Sequence, residues 1–138
     1  MTFSDEVDGQ IVAIETDADV VRVRQAVRAL AAQAGMSLVD QTKLITAASE
    51  LARNTLIHGK GGAAHLELTR NESRAGVRVV FADTGPGIAD LTLAFEEGWT
   101  SGTGLGLGLP GSRRLVDAFE VDTEVGRGTR ITIVKWGR

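Results

Sequence analysis

The chain has 138 residues, of which 43% are hydrophobic, and this length and composition are typical of one compact domain spanning residues 1–138. Its formal charge of −3, with 15 basic and 18 acidic residues, argues against broad electrostatic capture of nucleic acid or anionic membranes. Cysteine is absent, which excludes disulfides, thiolate catalysis and zinc sites built from cysteine.

The start of the chain, MTFSDEVDGQ, carries acidic residues where a signal peptide would carry basic ones. No apolar run reaches the roughly 18 residues of a membrane-spanning helix. These two features predict a cytoplasmic protein without a membrane or nucleic-acid partner.

Strand and helix signals alternate in the first part of the chain. The β-branched run at residues 10–15 predicts a short opening strand at the edge of a sheet. Between Ala18 and Ala34 apolar residues recur at three- and four-residue spacing, which predicts an amphipathic helix with Asp17 as N-cap and Gly35 at C′. The residues expected to face inward are Val20, Val23, Val27, Leu30, Ala31 and Ala34.

A second helix is predicted to begin at a capping-box-like pair, Ser37 and Asp40, and to run to about Ile57, before Gly59. The elements predicted after it are strands over 64–69 and 77–82 around the turn NESRAG, a short helix over 90–97, a helix over 111–119, and strands over 119–125 and 129–136 joined by Gly126-Arg-Gly128. This order predicts an α+β two-layer sandwich, with helices on one face of a mixed sheet.

The second helix carries a polar stripe formed by Glu50, Asn54 and His58, which are spaced four residues apart. Such a stripe is ordinarily a solvated helix face, and His58 is expected to cap or line the helix end. In the functional alternative the Asn54 amide oxygen binds Mg²⁺, which prefers oxygen ligands. Glu50 would then accept a proton one turn away. The other histidine, His65, is expected to face solvent.

Two glycine-rich segments follow, DTGPGI at residues 83–88 and GTGLGLGLPG at 102–111. The first is either a tight turn capped by Asp83 or a site at which that carboxylate accepts a hydrogen bond from an amino group such as adenine N6. Residues 106–111 match G-x-G-x-x-G, but no strand directly precedes them and Pro110 interrupts the helix, so a dinucleotide site is disfavoured. A glycine loop before a helix remains a suitable phosphate cradle.

Taken together, these segments resemble the nucleotide-binding boxes of the GHKL ATPases, which include gyrase B, histidine kinases and mismatch-repair ATPases. The residues that match the N, G1, G2 and G3 boxes are Glu50-x-x-x-Asn54, Asp83-x-Gly85-x-Gly87, Gly104-Leu105-Gly106-Leu107-Gly108 and Gly126-x-Gly128-Thr129. Within that superfamily SELARN, DTGPGI, GLGLPGSRRLVDAF and GTRITIVKW resemble the RsbT-like serine/threonine kinases of bacterial stress-response partner switching. The resemblance covers nearly the whole chain.

The resemblance implies a Bergerat fold and a protein kinase that uses ATP and Mg²⁺. Asp83 would hold adenine N6, and Thr129 would support the adenine through solvent. Asn54 would bind Mg²⁺, and Glu50 would be the catalytic base. The glycines implied to flank the base are Gly85 and Gly87, and the segment implied to close over the triphosphate is Gly104, Leu105, Gly106, Leu107 and Gly108.

The implied substrates are serine or threonine hydroxyls of STAS-domain antagonist proteins, similar to RsbS and RsbR, with a downstream phosphatase or other activator as a second partner. A histidine kinase is disfavoured, because neither His58 nor His65 lies on a dimerisation helix. Two other classes stay open: a non-catalytic ATP-gated module, such as an anti-sigma factor, and a stand-alone ATPase. Turnover of ATP distinguishes the kinase from the non-catalytic module, because a protein that only binds ATP tolerates the loss of Glu50.

Overall fold

The computed structural model of the protein describes residues 9–89 and 108–137. Its elements in chain order are β1 (Gln10–Ile14), α1 (Asp17–Gln33), α2 (Leu38–Ile57), β2 (Gly62–Asn71), β3 (Arg74–Asp83), α3 (Leu109–Arg114), β4 (Ala118–Glu124) and β5 (Gly128–Trp136). This is the predicted order of strands and helices. The short helix predicted over 90–97 lies outside the described residues.

The five described strands form one sheet in the order β1-β2-β3-β5-β4, with β1 at an edge as predicted. All four pairings are antiparallel, so the α+β class is confirmed but the prediction of a mixed sheet is wrong. The physical reason lies in the connections. A single helix between two neighbouring strands would leave them parallel, but two helices connect β1 to β2, so the chain reverses once more and the two strands are antiparallel. The strands β3 and β4, which α3 connects, are not neighbours, because β5 lies between them.

Helix α1 begins with a reciprocal capping box. The Thr16 hydroxyl accepts from the Asp19 N–H at 3.3 Å, and the Asp19 carboxylate accepts from the N–H groups of Thr16 and Glu15 at 3.1 and 2.9 Å. The prediction of Asp17 as N-cap is therefore wrong by one residue, because Thr16 has the extended backbone and the accepting side chain. The Glu15 N–H, followed by Thr16 and Arg22, holds the pKa of the Asp19 carboxyl below its ordinary value.

The connection between the two long helices follows the predicted boundaries. Gly35 has φ +77°, and the N–H groups of Gly35 and Met36 donate to the carbonyls of Ala32 and Ala31 at 3.0 and 3.1 Å. This is a Schellman ending, which needs left-handed backbone at C′. The Ser37 hydroxyl then accepts from the N–H of Asp40, the third residue of α2, so the N-cap of the next helix lies two residues beyond the glycine.

The last helix and the first hairpin differ from prediction in length. Helix α3 ends at Arg114, because the Asp117 N–H donates to the Val134 carbonyl at 2.9 Å and starts the pairing with β5. Phe119, which apolar spacing placed in that helix, lies in β4 and packs on the core from there. Most of the predicted turn NESRAG is strand, since β2 and β3 pair as far as Asn71 and Arg74.

The core lies between the sheet and the long helices α1 and α2. All six residues predicted to face inward from the first helix are buried, including Ala34 at its C-cap. Large side chains that are fully buried here include Ile14, Leu44, Leu51, Leu66, Val79, Phe81 and Ile133. None of the described helices is long and apolar enough to cross a membrane.

One charged pair is buried at the end of this core. Lys135 of β5 and Asp40 of α2 have side chains only 8% and 10% exposed, with Nζ 3.8 Å from Oδ1. Losing one partner would leave an uncompensated buried charge, which is strongly destabilising. The pair therefore ties the start of α2 to the end of β5.

The capping box yields a test in which Thr16 and Asp17 are compared. We expect Thr16→Ala to lower the free energy of unfolding by about 1 kcal/mol, the usual cost of removing a threonine N-cap. Asp17→Ala should cost only a few tenths of a kcal/mol, because Asp17 acts on the helix dipole alone. Urea denaturation at neutral pH measures both. A larger loss for Asp17→Ala than for Thr16→Ala would contradict the assignment.

Candidate functional site

The site is built around Asp83, the last residue of β3. Its Oδ1 accepts hydrogen bonds from the N–H of Gly85 at 2.9 Å and from the N–H of Thr129 at 3.3 Å. Strand pairing produces the second contact, because Asp83 lies opposite Thr129 in the register of β3 and β5. The carboxylate is thus fixed by two backbone donors, one on each neighbouring segment.

The end of α2 reaches this carboxylate only because Gly59 has no side chain. A Cβ on Gly59 would lie 2.4 Å from Asp83 Cγ and 2.5 Å from its Oδ2. Gly85 packs in turn on the backbone of Gly59, where an added Cβ would lie 2.8 Å from Cα. Gly59 was predicted only to end a helix, so its contact with Asp83 was missed; a sequence pattern does not reveal a tertiary approach of this kind.

A hydroxyl of β4 joins the two loops that flank Asp83. The Thr123 Oγ1 accepts from the Ile88 N–H at 2.9 Å, donates to the Gly128 carbonyl at 3.1 Å and lies 2.8 Å from the Thr129 Oγ1. Close by, the Gly126 N–H donates to the Pro86 carbonyl at 2.9 Å. Sequence reasoning missed Thr123; the available signal was its place opposite Thr129 across the predicted Gly126-Arg-Gly128 turn.

These elements line a cavity that opens to solvent, and its empty volume, counted with the open mouth, is about 420 Å³. The residues that line it are Leu51, Asn54, Thr55, His58, Gly59, Phe81, Asp83, Gly87, Ile88, Leu109, Thr129 and Ile131. Its walls are mostly apolar, with a few polar side chains that converge, as in small-molecule sites. Burial lowers the pKa of His58 below its ordinary value, which favours the neutral imidazole beside the cavity.

Helix α2 presents its two candidate polar residues to different surfaces. Asn54 lines the cavity, whereas Glu50, one turn earlier, lines a groove between α1 and α2. The other residues of this groove are Arg24, Ile45, Thr46, Ser49 and Arg53. Glu50 also rests against Gly108, where an added Cβ would lie 2.4 Å from Glu50 Cγ. Gly108 has φ +67°, so both its conformation and its contact favour glycine.

The structure brings together most of the residues selected from the sequence. Asn54, Asp83, Gly87 and Thr129 line one cavity, with His58 at the C-cap of α2 among them. Gly85 does not line this cavity, but it packs against Gly59, which does. His65 is exposed on β2, as predicted. Among the residues predicted to cover phosphates, Gly104, Leu105, Gly106 and Leu107 lie outside the described residues, and Gly108 contacts Glu50.

This arrangement can bind a flat, largely apolar group that carries a hydrogen-bond donor. Phe81, Ile88 and Ile131 provide apolar surface, and Asp83 contributes a carboxylate, a group that accepts hydrogen bonds. Asn54 offers an amide oxygen at the same cavity. The chemistry of the cavity therefore suits a nucleobase with an amino group.

Comparison with known proteins agrees with this geometry. Residues 39–136 match the family described as histidine kinase-, DNA gyrase B- and HSP90-like ATPase. The chain is 39% identical over 131 residues to the serine/threonine-protein kinase RsbT of Bacillus subtilis, which covers 95% of this chain and 98% of that protein. It is 34% identical over 119 residues to an anti-sigma F factor of Clostridium beijerinckii, covering 81% and 82% of the two chains. The protein is thus a homologue of a serine/threonine kinase and of anti-sigma factors.

The contact of Gly59 with Asp83 yields a stability test. We expect Gly59→Ala to lower the free energy of unfolding by about 1–3 kcal/mol, the usual cost of an overpacked contact, because the new methyl overlaps the carboxylate. Gly111→Ala is the matched control: it lies in α3, and an added Cβ there meets nothing within 4 Å. Thermal and urea unfolding measure both variants. Equal stability of Gly59→Ala and wild type would show that the helix end and strand end are further apart.

Proposed function

The chain belongs to the family of histidine kinase-, DNA gyrase B- and HSP90-like ATPases, and from this premise we propose that it is an ATP- and Mg²⁺-dependent protein serine/threonine kinase. Its acceptors would be STAS-domain antagonist proteins, similar to RsbS and RsbR, in a bacterial partner-switching system. A downstream phosphatase or other activator would be the second partner, and the cytoplasm is the compartment that this proposal implies. The observation that carries it is the position of Asn54 in the cavity and of Glu50 in the groove beside it.

The cavity would hold the adenine. Asp83 would accept a hydrogen bond from N6, and Thr129 would add a second polar contact on the same side, directly or through water. Gly87, with φ +78°, would let the backbone follow the edge of the base, and Gly85 would keep the loop close to Gly59. Apolar residues of the cavity would cover the faces of the ring.

The donor set of the cavity fits one Mg²⁺ ion bound mainly through the nucleotide. No group of three or more His, Asp or Glu side chains that could cage a metal occurs within residues 9–89 and 108–137. Mg²⁺ usually keeps several waters and binds few protein ligands together with phosphate oxygens, so the Asn54 amide oxygen is an adequate contribution. The ion would neutralise charge that develops on the transferring phosphoryl group.

Glu50 would act as the general base. A serine or threonine hydroxyl of the acceptor would approach through the groove that Glu50 shares with Ser49 and Arg53. Glu50 would take the proton of the acceptor hydroxyl while the oxygen of that hydroxyl bonds to the γ-phosphorus of ATP. The bond from the γ-phosphorus to the β,γ-bridging oxygen would break, and ADP would leave. Gly108, in contact with Glu50, would hold the carboxylate between groove and cavity.

A second candidate is a non-catalytic ATP-gated module that sequesters a sigma factor or other partner. The similarity to anti-sigma F factors of Clostridium beijerinckii and Clostridium kluyveri, at 34% and 30% identity, favours it. Such a module would use Asp83 and Asn54 for the nucleotide and would not depend on Glu50. The role of Glu50 therefore separates the two candidates.

The kinase proposal predicts that Glu50→Gln, which keeps the side-chain shape against Gly108, lowers phosphoryl transfer by about 10²- to 10⁴-fold, the usual contribution of a general base. Nucleotide affinity should stay close to wild type. The measurement follows labelled γ-phosphate from Mg-ATP onto serine or threonine of STAS-domain proteins encoded beside this gene. Glu120→Gln, an exposed position on β4, is the matched control.

Equal transfer by wild type and Glu50→Gln would remove Glu50 from the mechanism. Saturable ATP binding without any transfer, to any of these acceptors, would favour the ATP-gated module. Phosphate release at the same rate with and without acceptor would instead indicate a stand-alone ATPase.

The adenine site predicts that Asp83→Asn weakens ATP binding by about 1.5–3 kcal/mol, the range for hydrogen bonds to a charged group, because an amide donor replaces an acceptor. The amide oxygen can still accept from Gly85 and Thr129, so the melting temperature should change little. Titration calorimetry measures the affinity, with Asp122→Asn, an exposed residue of β4, as control. Unchanged affinity in Asp83→Asn would place the base elsewhere.

A further inference from the structure

Thr123 does not line the cavity, but its hydroxyl contacts two residues that do, the Ile88 N–H and the hydroxyl of Thr129, its partner across the β4–β5 pair. We infer that Thr123 is a positioning residue that makes Thr129 an obligate hydrogen-bond acceptor, and so sets the preference of the cavity for a purine with a 6-amino group over one with a 6-carbonyl. This inference rests on the proposed nucleotide site and assigns a cause to its base selectivity.

The argument begins with the single proton of the Thr123 hydroxyl. Its three partners are the Ile88 N–H at 2.9 Å, the Gly128 carbonyl at 3.1 Å and the Thr129 hydroxyl at 2.8 Å. The N–H can only donate and the carbonyl can only accept. Thr123 must therefore give its proton to Gly128 and accept from Ile88.

One contact of Thr123 remains, the one to Thr129. Because the Thr123 proton is already used, Thr129 must be the donor in this pair. All three contacts are satisfied together in this arrangement alone. The Thr129 hydroxyl then has no proton left, and it offers only lone pairs to the cavity that it lines.

Asp83 supplies a second acceptor beside it. Its Oδ1 accepts hydrogen bonds from the N–H groups of Gly85 and Thr129. Because Thr129 binds the carboxylate through its own N–H, the carboxylate lies close to the Thr129 hydroxyl. A group that faces both must donate hydrogen, either directly or through a water that itself donates to Thr129. A 6-amino group has two hydrogens, whereas a 6-carbonyl has none and would leave these acceptors unpaired once the base covers them, which is costly.

ATP and ITP provide the sharpest probe of this arrangement, because their bases differ in the group at position 6 and in the protonation of the adjacent ring nitrogen. In Thr123→Val, which keeps the shape of the side chain, the Thr129 hydroxyl is free to rotate and donate. We expect ATP affinity to fall by about 3- to 10-fold, while ITP affinity stays unchanged or improves. The ratio of ATP affinity to ITP affinity should therefore fall by at least the same factor. Titration of wild type and variant with both nucleotides measures it.

Three further variants separate selectivity from simple loss of structure. Thr123→Ser keeps the hydroxyl and should retain the wild-type ratio. Thr129→Val should lower the ratio by itself, and adding Thr123→Val to it should change the ratio little further, since the two residues act as one unit. Thr132→Val removes a hydroxyl from the opposite face of β5 and is the matched control.

The outcomes are distinct. An equal fall in ATP and ITP affinity in Thr123→Val would show that Thr123 only supports the loop at Ile88, and would overturn the inference. An unchanged ratio would overturn it as well. Failure of Asp83→Asn to weaken ATP would instead remove the nucleotide site itself, and the proposed function with it.

Discussion

The carboxylate of Asp83 occupies space that exists only because Gly59, on another element, lacks a side chain. The segment that directly follows α2 and the last residue of β3 meet there, and a Cβ on Gly128 would lie 2.1 Å from the Asp83 carbonyl oxygen. Overpacking at such a contact must displace backbone. The cavity, its acceptors and the loop that begins at Thr84 all depend on this close approach.

The same helix serves two surfaces, and the rest of the fold holds it in place. Apolar residues of α2 pack on the sheet, while Asn54 lines the cavity and Glu50 lines the groove between α1 and α2. At its far end Asp40 pairs with the buried Lys135. A helix fixed at both ends can keep a carboxylate and an amide in a constant relation, which positioned catalysis requires.

Much of the fold was predictable because it depends on local patterns. Apolar spacing identified the buried face of α1, from Val20 to Ala34, and the boundaries of α2 were correct. The wrong predictions concern residues whose local structure depends on contacts with residues distant in sequence or on the backbone conformation. Thr16 replaced Asp17 as N-cap because a cap needs a particular backbone conformation, and Phe119 joined β4 because β5 offered pairing there. The antiparallel sheet followed from how the helices return the chain.

The sequence alone determined which residues are candidates for the proposed site, because their spacing and the glycines around them are given by the chain itself. These candidates are Glu50, Asn54, Asp83 and Thr129. Only the tertiary structure decided how they act together. It set Gly59 against Asp83, and it brought the hydroxyl of Thr123 within hydrogen-bond distance of both the Gly128 carbonyl and the Thr129 hydroxyl. Distances between residues remote in sequence depend on how whole elements pack, and no local pattern encodes them.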